Sequence, residues 1–138
     1  MSTSSSSTNA FLRHLQDVAI GLAKVDTVRS VMNDLLRGPA DEIVMEDTAD
    51  RIVRMIRWSK GQLGDWHDHD GRHGSIVVLR GTLVEAVRLP AGAVDIIEHR
   101  PDRPRAFVSM PTYIHKISNP STDESAVSLH VYYKPASR

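Results

Sequence analysis

From residue 40 onward the chain is built of short β-type runs, each closed by a glycine or proline signal. The runs are Glu42–Met45, Arg51–Trp58, Ser75–Leu79, Thr82–Leu89, Val94–Glu98, Ala106–Met110, His115–Ser118 and Ala126–Tyr133. Between them lie Gly61, Gly64, Asp70-Gly71, Gly81, Pro90-Ala-Gly92, the segment from Arg100 to Pro104, and Asn119-Pro120. β-Branched and aromatic residues suit a pleated, half-buried surface, and the Gly, Pro and Asn positions supply turns. Strands of this number and spacing predict an all-β barrel or sandwich. No repeat of solenoid or propeller length interrupts the pattern.

The N-terminal part reads differently. Phe11, Leu12, Leu15, Val18, Ala19 and Leu22 recur at three- and four-residue spacing, which predicts a helix with Asn9 as its N-cap. Asp26 or Thr27 can cap a second helix running through Val28, Val31, Met32, Leu35 and Leu36, and Gly38-Pro39 stops it. Residues 1–9, mostly Ser and Thr, carry neither the charge nor the apolar core of a leader and read as a disordered tail. The expected organisation is therefore a tail over 1–9 and one domain over 10–138. Its helical part (10–38) packs outside a β-barrel (40–135).

Composition narrows the function classes. Lys plus Arg and Asp plus Glu both number 17, and no basic run stands out, so neither nucleic acid nor an anionic membrane is an expected partner. No apolar run approaches the roughly 20 residues of a membrane span. The chain has no cysteine, which removes disulfides, thiolate ligands and a cysteine nucleophile. Any metal must be held by nitrogen and oxygen. The expected setting is the cytoplasm, as a monomer or homodimer.

Chemistry concentrates around Gly61-Gln-Leu-Gly-Asp-Trp-His67-Asp-His69. On a strand, His67 and His69 share one face, because side chains alternate with period 2. A third imidazole, His115, opens another β-type run after a proline. Three neutral imidazoles on neighbouring strands can hold a redox metal with positions open for substrate and dioxygen, or zinc with one open position. His73 falls on a turn and reads as a surface or supporting residue; His14 reads as an exposed helix residue and His99 as a solvated one. Ser128, His130 and Tyr132 alternate on a single strand and can form a hydrogen-bond relay ending in a phenol.

Gly61-x₅-His67-x-His69 followed by Gly81 resembles the first motif of the cupin superfamily. Pro111-x₃-His115-x₃-Asn119 is similar to the second, shorter by one residue and with Tyr113 near the usual glycine. Metal cupins commonly carry a glutamate ligand five residues past the second histidine; here that position is Gly74. A three-histidine cupin without that carboxylate resembles the thiol dioxygenases of the cysteine dioxygenase type. Ala126-Val-Ser128-Leu-His130-Val-Tyr132 resembles their Ser-x-His-x-Tyr strand, and Trp58 matches a tryptophan of that family.

The resemblance implies Fe(II) held by His67, His69 and His115, a small thiol and O2 as substrates, and a sulfinate as product. It implies that Tyr132, oriented by His130 and Ser128, serves the reacting oxygen. Some members cross-link that tyrosine to a cysteine; the matching position is Gly74, so this chain resembles the bacterial-type members without the cross-link. Cysteine-specific members hold the substrate carboxylate with an arginine on an early strand, two residues after a tyrosine. A gapless count back from Trp58 places those positions at Asp41 and Pro39. Either another arginine substitutes, with Arg51, Arg54, Arg57 and Arg80 all on expected strands, or the thiol carries a neutral or cationic tail that pairs with Asp41. The expected substrate contacts are Asp41, Arg54, Trp58 and Arg80. Two alternatives stand beside this reading: another three-histidine cupin enzyme (an isomerase or a carbon-cleaving dioxygenase), and a non-catalytic ligand-binding cupin.

Overall fold

The computed structural model of the chain describes residues 3–68, 72–101, 103–107 and 113–134, with side chains from residue 9 onward. Two helices, α1 (Thr3–Ala23) and α2 (Asp26–Arg37), precede eight strands. These are β1 (Glu42–Asp47), β2 (Arg51–Trp58), β3 (His73–Arg80), β4 (Leu83–Arg88), β5 (Val94–His99), β6 (Arg105–Phe107), β7 (Ile114–Ser118) and β8 (Ala126–Tyr133). All are antiparallel, in a five-stranded sheet of order β1-β2-β8-β3-β6 and a three-stranded sheet of order β5-β4-β7.

Period-2 alternation divides the larger sheet into two working faces. Val53, Met55, Val77, Leu79, Val127, Leu129 and Val131 point outward and form one core with Ala19, Ala23, Val28, Met32 and Leu35 of the helices. The helices bury these residues at the three- and four-residue spacing that the sequence predicts. Trp58, Ile76, Val78 and Ala126 point inward and meet Leu83, Val87, Phe107, Tyr113 and Ile117 in a second core between the sheets. The two cores share the backbone of β2, β3 and β8, so whatever fixes the helix face also fixes the register of the inner face.

Two details of the helical part depart from expectation. Helix α1 begins at Thr3, so residues 3–9, expected as a tail, continue the helix, and Asn9 lies inside it. The Ser/Thr run contains no glycine or proline, and extending a helix already anchored by Leu15, Ala19 and Ala23 adds a hydrogen bond for each residue fixed. Helix α2 is capped by neither Asp26 nor Thr27: Val25 is the N-cap residue and makes no side-chain cap bond. Asp26 instead sits in the first turn, where its charge suits the helix dipole. At the other end, Arg57 reaches from β2 to the carbonyls of Leu35 (3.1 Å) and Gly38 (2.7 Å), supplying donors to the exposed helix C-terminus.

Glycine is required at two places around the inner face. Gly81 turns β3 into β4 at φ +82°, a left-handed conformation. A Cβ at Gly74 would lie 2.7 Å from the Val131 carbonyl oxygen and 2.9 Å from Cζ of Phe107. No helix among the described residues is long and apolar enough to cross a membrane.

Candidate metal centre

His67 lies between β2 and β3 and is fixed by backbone pairing to β7. Its N–H donates to the His115 carbonyl at 2.9 Å, and the His115 N–H donates back at 3.0 Å. The two rings meet edge to face, with their Nε2 atoms 3.1 Å apart. Each ring's other nitrogen is committed. Nδ1 of His67 lies 2.9 Å from the Asp65 carbonyl oxygen, which can only accept, so it carries the proton. Nδ1 of His115 donates in the same way to the buried Glu85 carboxylate. With each Nδ1 engaged elsewhere, the two Nε2 atoms face each other, an arrangement in which both can coordinate one metal ion. At a metal–nitrogen distance of about 2.1 Å, nitrogens 3.1 Å apart subtend roughly 95°, close to adjacent octahedral positions. These residues fit a metal ion. His69 lies outside the described residues, so among the described residues the centre comprises two imidazoles and no cluster of three ligating groups.

Beneath His115 lies a network absent from the sequence reading. Glu85, on β4, is fully buried and shares the inward parity of Leu83 and Val87. Its Oε2 accepts from His115 Nδ1 and from the Tyr113 hydroxyl at 2.7 Å. Its Oε1 lies 2.8 Å from His99 Nε2 and 2.9 Å from Arg105 Nε, the latter an ion pair. Burial alone would raise the carboxyl's pKa, but the hydrogen bonds from His115, His99 and Tyr113 and the charge of Arg105 outweigh it and hold the group well below the ordinary carboxylate range. His99 is therefore not a solvated loop residue: it ends β5, is buried, and donates from Nε2 to the Glu85 carboxylate. The signal that could have found this network was an acid at a core-parity position inside Leu83-Val-Glu-Ala-Val87, since a buried charge demands partners.

The relay strand forms as its alternation predicts. Trp58 Nε1 donates to Ser128 Oγ at 2.9 Å, Ser128 Oγ lies 2.6 Å from His130 Nε2, and His130 Nδ1 lies 2.8 Å from the Tyr132 hydroxyl. The indole only donates, so Ser128 Oγ accepts from it, and the buried hydroxyl's own proton finds its acceptor at His130 Nε2. His130 is then the Nδ1–H tautomer and donates to Tyr132, whose hydroxyl proton points onward. Burial holds the Tyr132 phenol well above its ordinary range.

The other expected site residues separate by face. Arg54 pairs with His130 across β2 and β8 and shares the inner face with Tyr132. Its Nε is buried without a hydrogen bond and lies 3.7 Å from Glu42 of β1. Asp41 ion-pairs with Arg57 at 2.9 Å, on the helix-facing parity of β2. Arg80 is exposed at the end of β3, where a register shift between Val78 and Arg80 re-aims the strand. His73 faces α1, its ring 5.3 Å from that of Phe11. Asn119 anchors the loop before β8: its amide donates to the carbonyls of Trp58, Ser59 and Glu124 at 3.0–3.1 Å, and its oxygen accepts from Ser121 N–H.

Against known proteins, the sequence matches the model of the cysteine dioxygenase type I family over residues 1–138. Among solved structures, a cupin domain from Bordetella pertussis is similar at TM-score 0.55 and 20% identity, covering 68% of this chain and 92% of that one. A cupin-2 domain protein from Shewanella frigidimarina matches at TM-score 0.58 and 14% identity, covering 83% and 99%. Oxalate decarboxylase from Bacillus subtilis, described with Mn(II) centres, matches at TM-score 0.56 and 16% identity, over 70% of this chain and 25% of that one. At these identities the structural likeness speaks for the fold, a cupin β-barrel with two N-terminal helices.

Proposed function

Because the chain belongs to the cysteine dioxygenase type I family, we propose that it is an Fe(II)-dependent thiol dioxygenase acting in the cytoplasm on a small thiol. The reaction R–SH + O2 → R–SO2H conserves atoms: both oxygens go to sulfur, and the thiol proton passes to the sulfinic acid. His67, His69 and His115 would hold the metal. Bound iron would supply a Lewis acid that lowers the thiol pKa and a redox centre at which thiol and dioxygen meet.

The chain's own residues do the rest. Tyr132, its oxygen already accepting from His130, presents a hydroxyl proton to the reacting oxygen atoms. Because Trp58, Ser128 and His130 are buried, this donor is preorganised and costs no reorganisation during the reaction. Phe107, Ile76 and Val78 line the inner face with apolar surface and exclude water. Arg54 is our choice for substrate anchor over Asp41 and Arg80, because it alone of the three shares a face with His130 and Tyr132. With Glu42 beside it, the pair offers one site for a carboxylate and one for an ammonium group. That combination favours an amino-acid thiol such as cysteine over a purely cationic one.

The observation that carries the reading is the pair of Nε2 atoms held 3.1 Å apart with both Nδ1 atoms engaged. The test is anaerobic loading with Fe(II), addition of cysteine, cysteamine or 3-mercaptopropionate, then oxygen uptake and sulfinate measured together. Sulfinate formed one-for-one with O2 consumed is expected. An iron-loaded protein that turns over no thiol in the panel overturns the reading in favour of another cupin chemistry or a binding role. Arg54→Met should raise KM for carboxylate-bearing thiols and leave cysteamine unaffected; equal effects on both would remove Arg54 from the anchor role.

A further inference from the structure

We infer that Glu85 is the positioning residue of the metal centre: its buried, multiply bonded carboxylate locks His115 as the Nδ1–H tautomer and thereby sets metal affinity. The inference rests on the metal reading above. A carboxylate offers about four lone-pair sites. Three are taken here by hydrogen bonds, from His115 and Tyr113 at one oxygen and from His99 at the other, and Arg105 adds an ion pair on that second oxygen. Glu85 is on β4 and its partners come from β5, β6 and β7 and from Tyr113 just before β7, so Glu85 also joins the smaller sheet to β6 of the larger one. Such a carboxylate cannot swing away without leaving several buried groups unpaired.

The consequence for His115 is specific. The ring has no rotational freedom left, its Nε2 lone pair points at His67, and the negative charge behind it makes that nitrogen a better donor to a cation. Partners of this kind behind a metal-bound histidine are worth about 10- to 100-fold in metal affinity.

The test uses cobalt(II) alone as probe, since its visible spectrum reports nitrogen ligation without turnover. Wild type, Glu85→Gln, Glu85→Ala and Leu83→Ala are titrated with the metal. Leu83 is on the same strand and equally buried, so its truncation weakens packing without touching His115. Glu85→Gln should lose about 10-fold in cobalt affinity and Glu85→Ala about 100-fold, while Leu83→Ala, though less stable, binds as wild type does. Long-range proton–nitrogen NMR correlations on metal-free wild type should show His115 as the Nδ1–H tautomer, and this measurement decides the matter even where a Glu85 variant fails to fold. A folded Glu85→Gln with wild-type affinity, a Leu83→Ala loss as large as that of Glu85→Ala, or an Nε2–H tautomer at His115 would each overturn the inference alone. A wild-type protein that takes up no cobalt overturns the metal reading, and the inference with it.

Discussion

Gly74→Ala is the sharpest test of how tightly the inner face is packed. The added methyl would sit 2.7 Å from the Val131 carbonyl oxygen, 2.9 Å from Phe107 Cζ and 3.0 Å from Tyr132 Cδ1. The two rings can each give a few tenths of an ångström. The carbonyl cannot, because Val131 belongs to β8, which is hydrogen-bonded to β2 on one side and β3 on the other. Overpacking of this kind costs about 1–3 kcal/mol. Replacing glycine by alanine within a strand returns roughly 0.5–1 kcal/mol through the unfolded chain. At the middle of these ranges the steric term wins, with a net loss of about 1.3 kcal/mol and, at about 4 °C per kcal/mol for a chain of this size, a fall in Tm of roughly 5 °C. Thermal unfolding followed by circular dichroism measures it. In a double-mutant cycle with Phe107→Leu, coupling near 0.5–1 kcal/mol is expected, less than the whole loss, because the carbonyl contact survives. A Gly74→Ala protein that melts at or above the wild-type temperature would refute the packing argument. So would complete rescue by Phe107→Leu. The same clash excludes cysteine at this position.

Asn119→Ala should cost about 2–4 kcal/mol, because it removes the donor to three carbonyls and the acceptor of the Ser121 N–H at the loop before β8; an unchanged Tm would contradict this. Burial, aided at Tyr113 by the charge of Glu85, holds the Tyr113 and Tyr132 phenols well above their ordinary range. Both stay protonated in the fold while the unfolded chain ionises near pH 10, so stability is full below about pH 10 and falls as pH rises beyond it. Phenolate absorbance for two of the three tyrosines should appear only with loss of structure, and reversible titration of Tyr132 near pH 10 in folded protein would refute the burial account. Trp58→Phe removes the donor that anchors the Ser128 end of the relay, and should lower turnover several-fold with metal binding unchanged; full activity would show that Tyr132 is oriented without it.

The strands were legible because their turn residues are explicit and their alternation is strong, and the inner parity of Ser128, His130 and Tyr132 followed from period 2 alone. The separation of Arg54 from Asp41 was not legible. It depends on which edge of β1 pairs with β2, a register set by the helix-side contacts of Ile43 and Met45 that no local pattern encodes. His99 looked like a loop residue because charged neighbours surround it in sequence; its burial comes from Glu85, fourteen residues away on the paired strand. The start of α1 was misjudged because serine and threonine are weak helix formers, while propagation from a packed stripe outweighs their propensity.

The shared backbone of β2 and β8 gives this protein an unusual mutational grammar. Substitutions at 54, 128, 130 and 132 alter the chemistry without touching the helix core, and substitutions at 53, 55, 129 and 131 do the reverse. The two sets can therefore be varied independently, one by selection for substrate and the other by selection for heat resistance. Insertions obey the opposite rule. One extra residue within β8 would push Leu129 and Val131 into the barrel and turn His130 and Tyr132 under the helices, so stability and activity would be lost in one step.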